Sequence, residues 1–262
     1  MAFWSNSTKT LSTYELYVIN ANGSGLVRLT PNEWTGFSFD RPSWSPDGSR
    51  IVFTAGTSSL SFEVYIINVN DSNLTRLTHD AMRKEGVVWS PDGKRIAYIS
   101  WPDKVSEIYI MNSDGSNQIR LTNSSDIYNG TPIWSPDSTR IAFICGKGDA
   151  IRSDNICIMN ADGSNLTQIH LPYVGVQIYD HLAWSPNGKQ MLIECWCRNR
   201  NSSSPEFGVY TMNVDGSNPI PLSDTGVSAF EPVWSPNGQQ IAFLTLDSDS
   251  AGGTVIYIVN IV

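Results

Sequence analysis

The chain has 262 residues, 40% hydrophobic and 11% aromatic, enough to bury a sizeable core, and a net charge of −8 from 25 acidic against 17 basic side chains. With few Lys and Arg and no basic run, a nucleic-acid partner is disfavoured, because phosphate contacts dominate that affinity. No apolar run reaches the length of about 18 residues that a membrane-spanning helix needs, and Met1-Ala2-Phe3-Trp4-Ser5-Asn6 carries neither the basic region nor the apolar core of a secretion signal.

The chain opens inside a β-strand: Ala2-Phe3-Trp4-Ser5 aligns with Ala97-Tyr98-Ile99-Ser100, the second strand (B) of a later copy of a repeat. A third strand (C) runs from Tyr17 to Asn20, a polar turn follows, and a fourth (D) ends at Leu29. At Trp44 the pattern becomes complete. Trp-Ser-Pro recurs with Trp at 44, 89, 134, 184 and 234, each followed by Asp or Asn and then Gly (Ser138 in one copy). The Pro ends strand A, and Asp-Gly or Asn-Gly supplies the positive φ of a tight hairpin into strand B. Strand B then places Ile51, Ile96, Ile141, Met191 or Ile241 on one face with Phe53, Tyr98, Phe143, Ile193 or Phe243, at a period of two. Two residues on sits Ala55, Ser100, Cys145, Cys195 or Thr245, small in every copy, as close approach of a neighbouring sheet requires. C strands end at Asn68, Asn112, Asn160, Asn213 and Asn260, and D strands at Leu77, Leu121, Ile169 and Leu222.

Each repeat is thus a four-stranded antiparallel meander that cannot bury both faces alone, so the copies must stack. A ring of such sheets, a β-propeller, is the closed solution. We expect one all-β propeller domain over 1–262, with blades near 1–30, 37–78, 85–122, 129–169, 179–222 and 229–262. The inventory is B-C-D, four complete copies, then A-B-C. Six blades with incomplete first and last members are preferred, because five would leave a surplus hairpin with an apolar edge. The mismatched ends suit a piece of a longer parent, or a ring that another chain's strands finish.

Trp89-Ser90-Pro91-Asp92-Gly93, Ile96-Ala97-Tyr98 and Tyr109-Ile110-Met111-Asn112-Ser113-Asp114-Gly115 resemble, nearly letter for letter, the repeat of the TolB-like (PD40, WD40-like) propellers. That repeat is shared with the propeller domains of prolyl oligopeptidase-type peptidases. The resemblance implies a platform for docking proteins, often periplasmic, or a gate beside a catalytic domain.

A G-x-S-x-G elbow is absent, and His79, His170 and His181 lack metal-ligand spacing. The expectation is a non-catalytic protein without cofactor or metal. Cys145 and Cys157, on neighbouring strands, are either small core residues or a disulfide; Cys195 and Cys197 flank Trp196 on one strand. Residues constant across copies build the scaffold, so function is sought where copies differ, in the D-to-A loops and the start of strand A. Carboxylates stand there in four copies (Asp40, Glu85, Asp180, Glu231), beside Arg41 and His181 and the aromatics Trp34, Tyr128, Tyr179 and Phe230. Clustered acids would draw a cationic segment, and exposed aromatics anchor protein interfaces. The reading is an extracytoplasmic scaffold that docks a protein or peptide. The alternatives are a regulatory or gating segment of a multidomain protein, a glycan-active enzyme, or a lectin.

Overall fold

The computed structural model describes residues 1–5, 14–31, 40–58, 61–70, 72–124, 127–147, 155–171, 174–198, 206–223, 228–246 and 253–261. Among them every regular element is a β-strand, and no helix is long and apolar enough to cross a membrane. The chain divides into two compact units, Met1–Ser125 and Asp126–Val262.

The first unit holds three antiparallel sheets. Sheet 1 comprises β1 (Ala2–Ser5), β2 (Glu15–Val18) and β3 (Val27–Arg28); sheet 2, β4 (Ser43–Trp44), β5 (Arg50–Ser58), β6 (Ser61–Asn68) and β7 (Leu74–Arg76); sheet 3, β8 (Lys84–Trp89), β9 (Arg95–Ser100), β10 (Glu107–Asn112) and β11 (Ile119–Arg120). In the second unit, sheet 4 comprises β12 (Tyr128–Asn129), β13 (Ile133–Trp134), β14 (Arg140–Gly146), β15 (Asn155–Asn160) and β16 (Thr167–His170). Sheet 5 follows with β17 (Val174–Trp184), β18 (Gln190–Arg198), β19 (Glu206–Asn213) and β20 (Ile220–Pro221), and sheet 6 with β21 (Ala229–Trp234), β22 (Gln240–Leu246) and β23 (Thr254–Asn260). The inventory matches the repeat: B-C-D, four complete sheets, A-B-C. Strand β21 pairs with β22 in its own sheet, which removes the five-blade alternative.

The A–B turn is held by its own side chains. In the first copy Ser45 Oγ donates to Asp47 Oδ1 at 2.6 Å and accepts from the Arg50 N–H at 2.9 Å, while Asp47 Oδ1 accepts from the Ser49 N–H at 3.0 Å. The same bonds recur around Ser90, Ser135, Ser185 and Ser235. Ser138 adopts φ of 60°, so it carries the left-handed conformation that glycine holds in the other four turns.

The period-two residues of strand B form the core: Ile51, Ile96, Ile141, Met191 and Ile241 are fully buried, and the small positions Ala55, Ser100, Cys145, Cys195 and Thr245 are buried with them. Aromatic pairs stack across strands B and C, Phe53 on Tyr65 at 5.8 Å and Tyr98 on Tyr109 at 5.6 Å between centroids. Adjacent sheets pack face to face within each unit, sheet 1 on 2 and 2 on 3, then 4 on 5 and 5 on 6. The contacts repeat: Arg50 lies over the Trp89 ring at 4.9 Å, and Arg140 over Trp184 at 4.7 Å. The C–D turn of one sheet seats on the D strand of the sheet before it. There a side chain at Gly216 would meet Ile169 Cγ2 at 2.5 Å, so glycine alone fits.

In the first unit the C and D strands are joined by a buried carboxylate network. Glu15, Glu63 and Glu107 pair with Arg28, Arg76 and Arg120 at 2.8, 2.7 and 2.8 Å. Thr30, Thr78 and Thr122, two residues after each Arg, accept from the N–H groups of Leu16, Val64 and Ile108. Thr78 and Thr122 also donate to Glu63 and Glu107. Sheet 4 has Asn155 and His170, and sheet 5 has Gly208 and Ser223, at the Glu and Thr positions. A disulfide, Cys145–Cys157, links β14 to β15 in sheet 4.

Candidate functional site

Strand A begins at the end of each sheet opposite the A–B turn, and two clusters form there, one per unit. In the first, Asp40 and Glu85 lie together around a hollow of about 30 Å³ with Thr54, Phe62 and Arg83. That is room for about one water. Asp40 accepts from Thr54 Oγ1 at 2.6 Å and from the Gly86 N–H at 3.0 Å, so one carboxylate ties sheet 2 to sheet 3. Its backbone carbonyl accepts from Trp4 Nε1 at 2.9 Å, which ties in sheet 1. Burial pushes the Asp40 carboxyl above the ordinary carboxylate value, against the hydrogen bonds from Thr54 and Gly86 and the field of Arg83. Glu85 is paired with Arg83. Lys84 is fully buried and turned toward Asp80 and Glu63.

The second cluster uses the same slot with different residues. Glu194 Oε2, buried on β18, receives His181 Nδ1 at 2.9 Å and the Glu231 N–H at 2.8 Å, tying sheet 5 to sheet 6. Gly86 and Glu231 each stand three residues before their Trp, each beside a register shift in strand A, and each with positive φ (60° and 51°). The strand-A backbone must turn inside out there to aim its N–H at the neighbouring sheet's acid. That acid precedes strand A in sheet 2 and sits on strand B in sheet 5. The imidazole of His181 keeps part of its surface in solvent, with 28% of the side chain accessible. The Glu231 side chain is exposed and Phe230 is half-buried.

Of the other residues expected at the rim, Arg41 is exposed, and Tyr128 is half-buried on β12, opposite Gly146. Trp34 lies outside the described residues, as do the side chains of Tyr179 and Asp180, whose backbone runs in β17. Among the described residues no three His, Cys, Asp or Glu side chains converge as a metal-binding set.

Sequence reading missed Glu194 and the buried glutamates of the C strands. It also missed a groove of about 800 Å³ at the opposite end of the second unit, flanked by Arg140, His170, Lys189 and Asp215. In the first unit Gln118 spans the equivalent seam, donating to the carbonyls of Leu77 at 3.3 Å and Gly115 at 3.2 Å. Pro219 occupies that position in sheet 5 and has no amide to reach across, so the seam stays open.

The repeat, its turns and the six sheets agree with comparison to known proteins. The TolB beta propeller domain family matches residues 32–196 and again 87–245. The chain belongs to this family. Its six sheets are the blades of a six-bladed propeller whose first and last members have three strands among the described residues.

TolB from Acinetobacter baumannii is similar in structure, with a TM-score of 0.60 at 20% identity over 95% of this chain and 57% of that one. An oligogalacturonate lyase from Vibrio parahaemolyticus has a TM-score of 0.70 at 15% identity, covering 94% of this chain and 72% of the lyase. Puromycin hydrolase has a TM-score of 0.62 at 14% identity, covering 94% of this chain and 40% of that protein. At these identities the likeness is one of fold. No curated protein matches in sequence. The expectation of a non-catalytic protein needs correction: enzymes are among the structures that share this fold over nearly the whole chain. Absence of a serine elbow speaks against one reaction only.

Proposed function

We propose that this propeller binds a cationic polypeptide segment at the start of strand A in the second unit, through Glu231, His181 and Phe230. The observation that supports the reading is the Glu194 cluster. Glu194 accepts from both His181 Nδ1 and the Glu231 N–H, and the Glu231 residue that makes this bond at positive φ is itself exposed. Scaffold stability needs only an acceptor in this slot, as Asp40 provides in the first unit. An exposed acid at positive φ is more than the clamp requires.

Membership in the TolB family supports a binding role, and the Cys145–Cys157 disulfide supports an oxidising, extracytoplasmic compartment. A display library of random peptides, selected on the intact protein, tests the reading. Enrichment of Lys- or Arg-bearing sequences that lose binding to the Glu231→Lys variant is expected. Selection of uncharged sequences, or equal binding to both proteins, would overturn it.

A second reading rests on the same pair. An imidazole held by a buried carboxylate is the arrangement a general base uses, and one similar structure is an oligogalacturonate lyase. Another structure of such a lyase is a complex with manganese. The described residues here offer no three-ligand set for that ion. Incubation with oligogalacturonate decides this reading: turnover that disappears in His181→Gln supports it, and no turnover removes it.

A further inference from the structure

Sheets 4 and 5 leave the groove of about 800 Å³ between them, along β16 and beside the A–B and C–D turns of sheet 5. That volume lies within the roughly 300–1,000 Å³ of small-molecule sites. Its walls carry two cations, Arg140 and Lys189, against one carboxylate, Asp215. Asp215 Oδ1 is already occupied, by the Ser217 N–H at 2.9 Å and the Ser217 hydroxyl at 2.6 Å. In a chain whose net charge is −8, the groove reverses the sign locally and favours an anion.

The side chains along β16 are released from the work their counterparts do. Where sheets 1, 2 and 3 have Arg28, Arg76 and Arg120, each spent on a glutamate of its own C strand, sheet 4 has Gln168. Where those sheets have Thr30, Thr78 and Thr122, each bonded to a C-strand N–H, sheet 4 has His170. Gln168, His170 and Lys189 are exposed, and their side chains have no hydrogen-bond or ion-pair partner among the described residues. Arg140 is held over the Trp184 ring at 4.7 Å.

The groove also offers acceptors. Asn160 and Asn213 spend their Nδ2 groups on Ser164 and Ser217, each at 2.9 Å, which leaves their Oδ1 atoms for a ligand's donors. A bare oxyanion has no donor to give them, whereas a ligand with hydroxyls does. No Phe, Tyr or Trp ring lines the groove, so a nucleotide base would find nothing to stack on. Polypeptides bind through apolar and aromatic anchors, and Ile158 and Ile169 are already buried in the core that sheets 4 and 5 share.

We propose that this groove binds an acidic saccharide, its carboxylate or sulfate groups on Lys189 and Arg140 and its hydroxyls on Gln168, Asn160 and Asn213. The inference uses neither Glu231 nor His181 and is independent of both readings of that end.

The test titrates the intact protein at low salt with labelled tetrasaccharides: one derived from hyaluronan, which carries carboxylates, one from heparin, which adds sulfates, and neutral N-acetylchitotetraose. A tetraglutamate peptide supplies acid without hydroxyls. Saturable binding of at least one acidic saccharide is expected, and the two acidic arms tell carboxylate from sulfate as the group preferred. Lys189→Glu and Gln168→Glu should each weaken it at least about tenfold, while Glu231→Lys should bind as the parent does. Both groove positions are exposed, and an unchanged melting curve separates lost binding from lost fold. Absence of saturable binding to either acidic saccharide overturns the proposal. So does equal binding of the neutral one, tetraglutamate binding as tightly as the saccharides, or binding that either groove variant leaves intact.

Discussion

Asp137 shows how much of this fold is decided within one turn. Hydrogen bonds from Ser135 and from Thr139 hold its carboxyl down to about 2, and those from Ser45 and Ser49 do the same for Asp47. The unfolded chain, with an ordinary value of 3.8, binds protons first as pH falls. The stability from each turn is therefore complete above about pH 4 and is lost as pH drops toward 2. Blades 5 and 6 carry Asn187 and Asn237 in this place, so the turn accepts an uncharged acceptor. A double variant Asp47→Asn/Asp137→Asn should lose less of its urea midpoint between pH 4 and 2 than the parent does. Equal losses would place the acid sensitivity elsewhere.

These turns were legible in the sequence because one residue type does one job in one column, five times. Glu194 was not, because the acid that clamps neighbouring blades stands four residues before Trp44 in one case and ten after Trp184 in the other. Comparing columns separates two residues that occupy one slot in space.

Between strands, the same contrast decides what could be read. The B-strand core follows from a period of two, and every residue assigned to it is buried. The Glu–Arg–Thr networks join residues 13 to 15 apart on different strands, a spacing no local period marks. Thr78→Val would keep the shape but leave the Val64 N–H and part of Glu63 without a partner. A cost of about 1–3 kcal/mol is expected in chemical denaturation. Asp40→Ala, which leaves Thr54 and the Gly86 N–H unmet, should cost a similar 1–3 kcal/mol, roughly. Sequence left the cysteines open between core packing and a disulfide, since adjacency of strands does not fix which face a sulfur takes. The bridge joins residues 12 apart, and a loop of that length lowers unfolded-chain entropy by about 3 kcal/mol. Replacing both Cys145 and Cys157 by Ala should lower stability by that order, and reductant should then have no further effect on sheet 4.

At the scale of the whole molecule, the residues that repeat are consumed in turns, core and clamps. The first unit repeats its outer networks in all three blades, whereas the second departs from them at Asn155, Gly208 and Pro219. The second unit has a groove at one end, beside Lys189, and an exposed acid, Glu231, at the other. Two faces therefore compete as the binding surface, the Glu231 end and the Lys189 end, and they carry opposite charge. A peptide selected for binding to the intact protein can be titrated against Glu231→Lys and Lys189→Glu at low and high salt. The account requires a loss of about tenfold or more in Glu231→Lys at low salt and no change in Lys189→Glu. A loss confined to Lys189→Glu would contradict it.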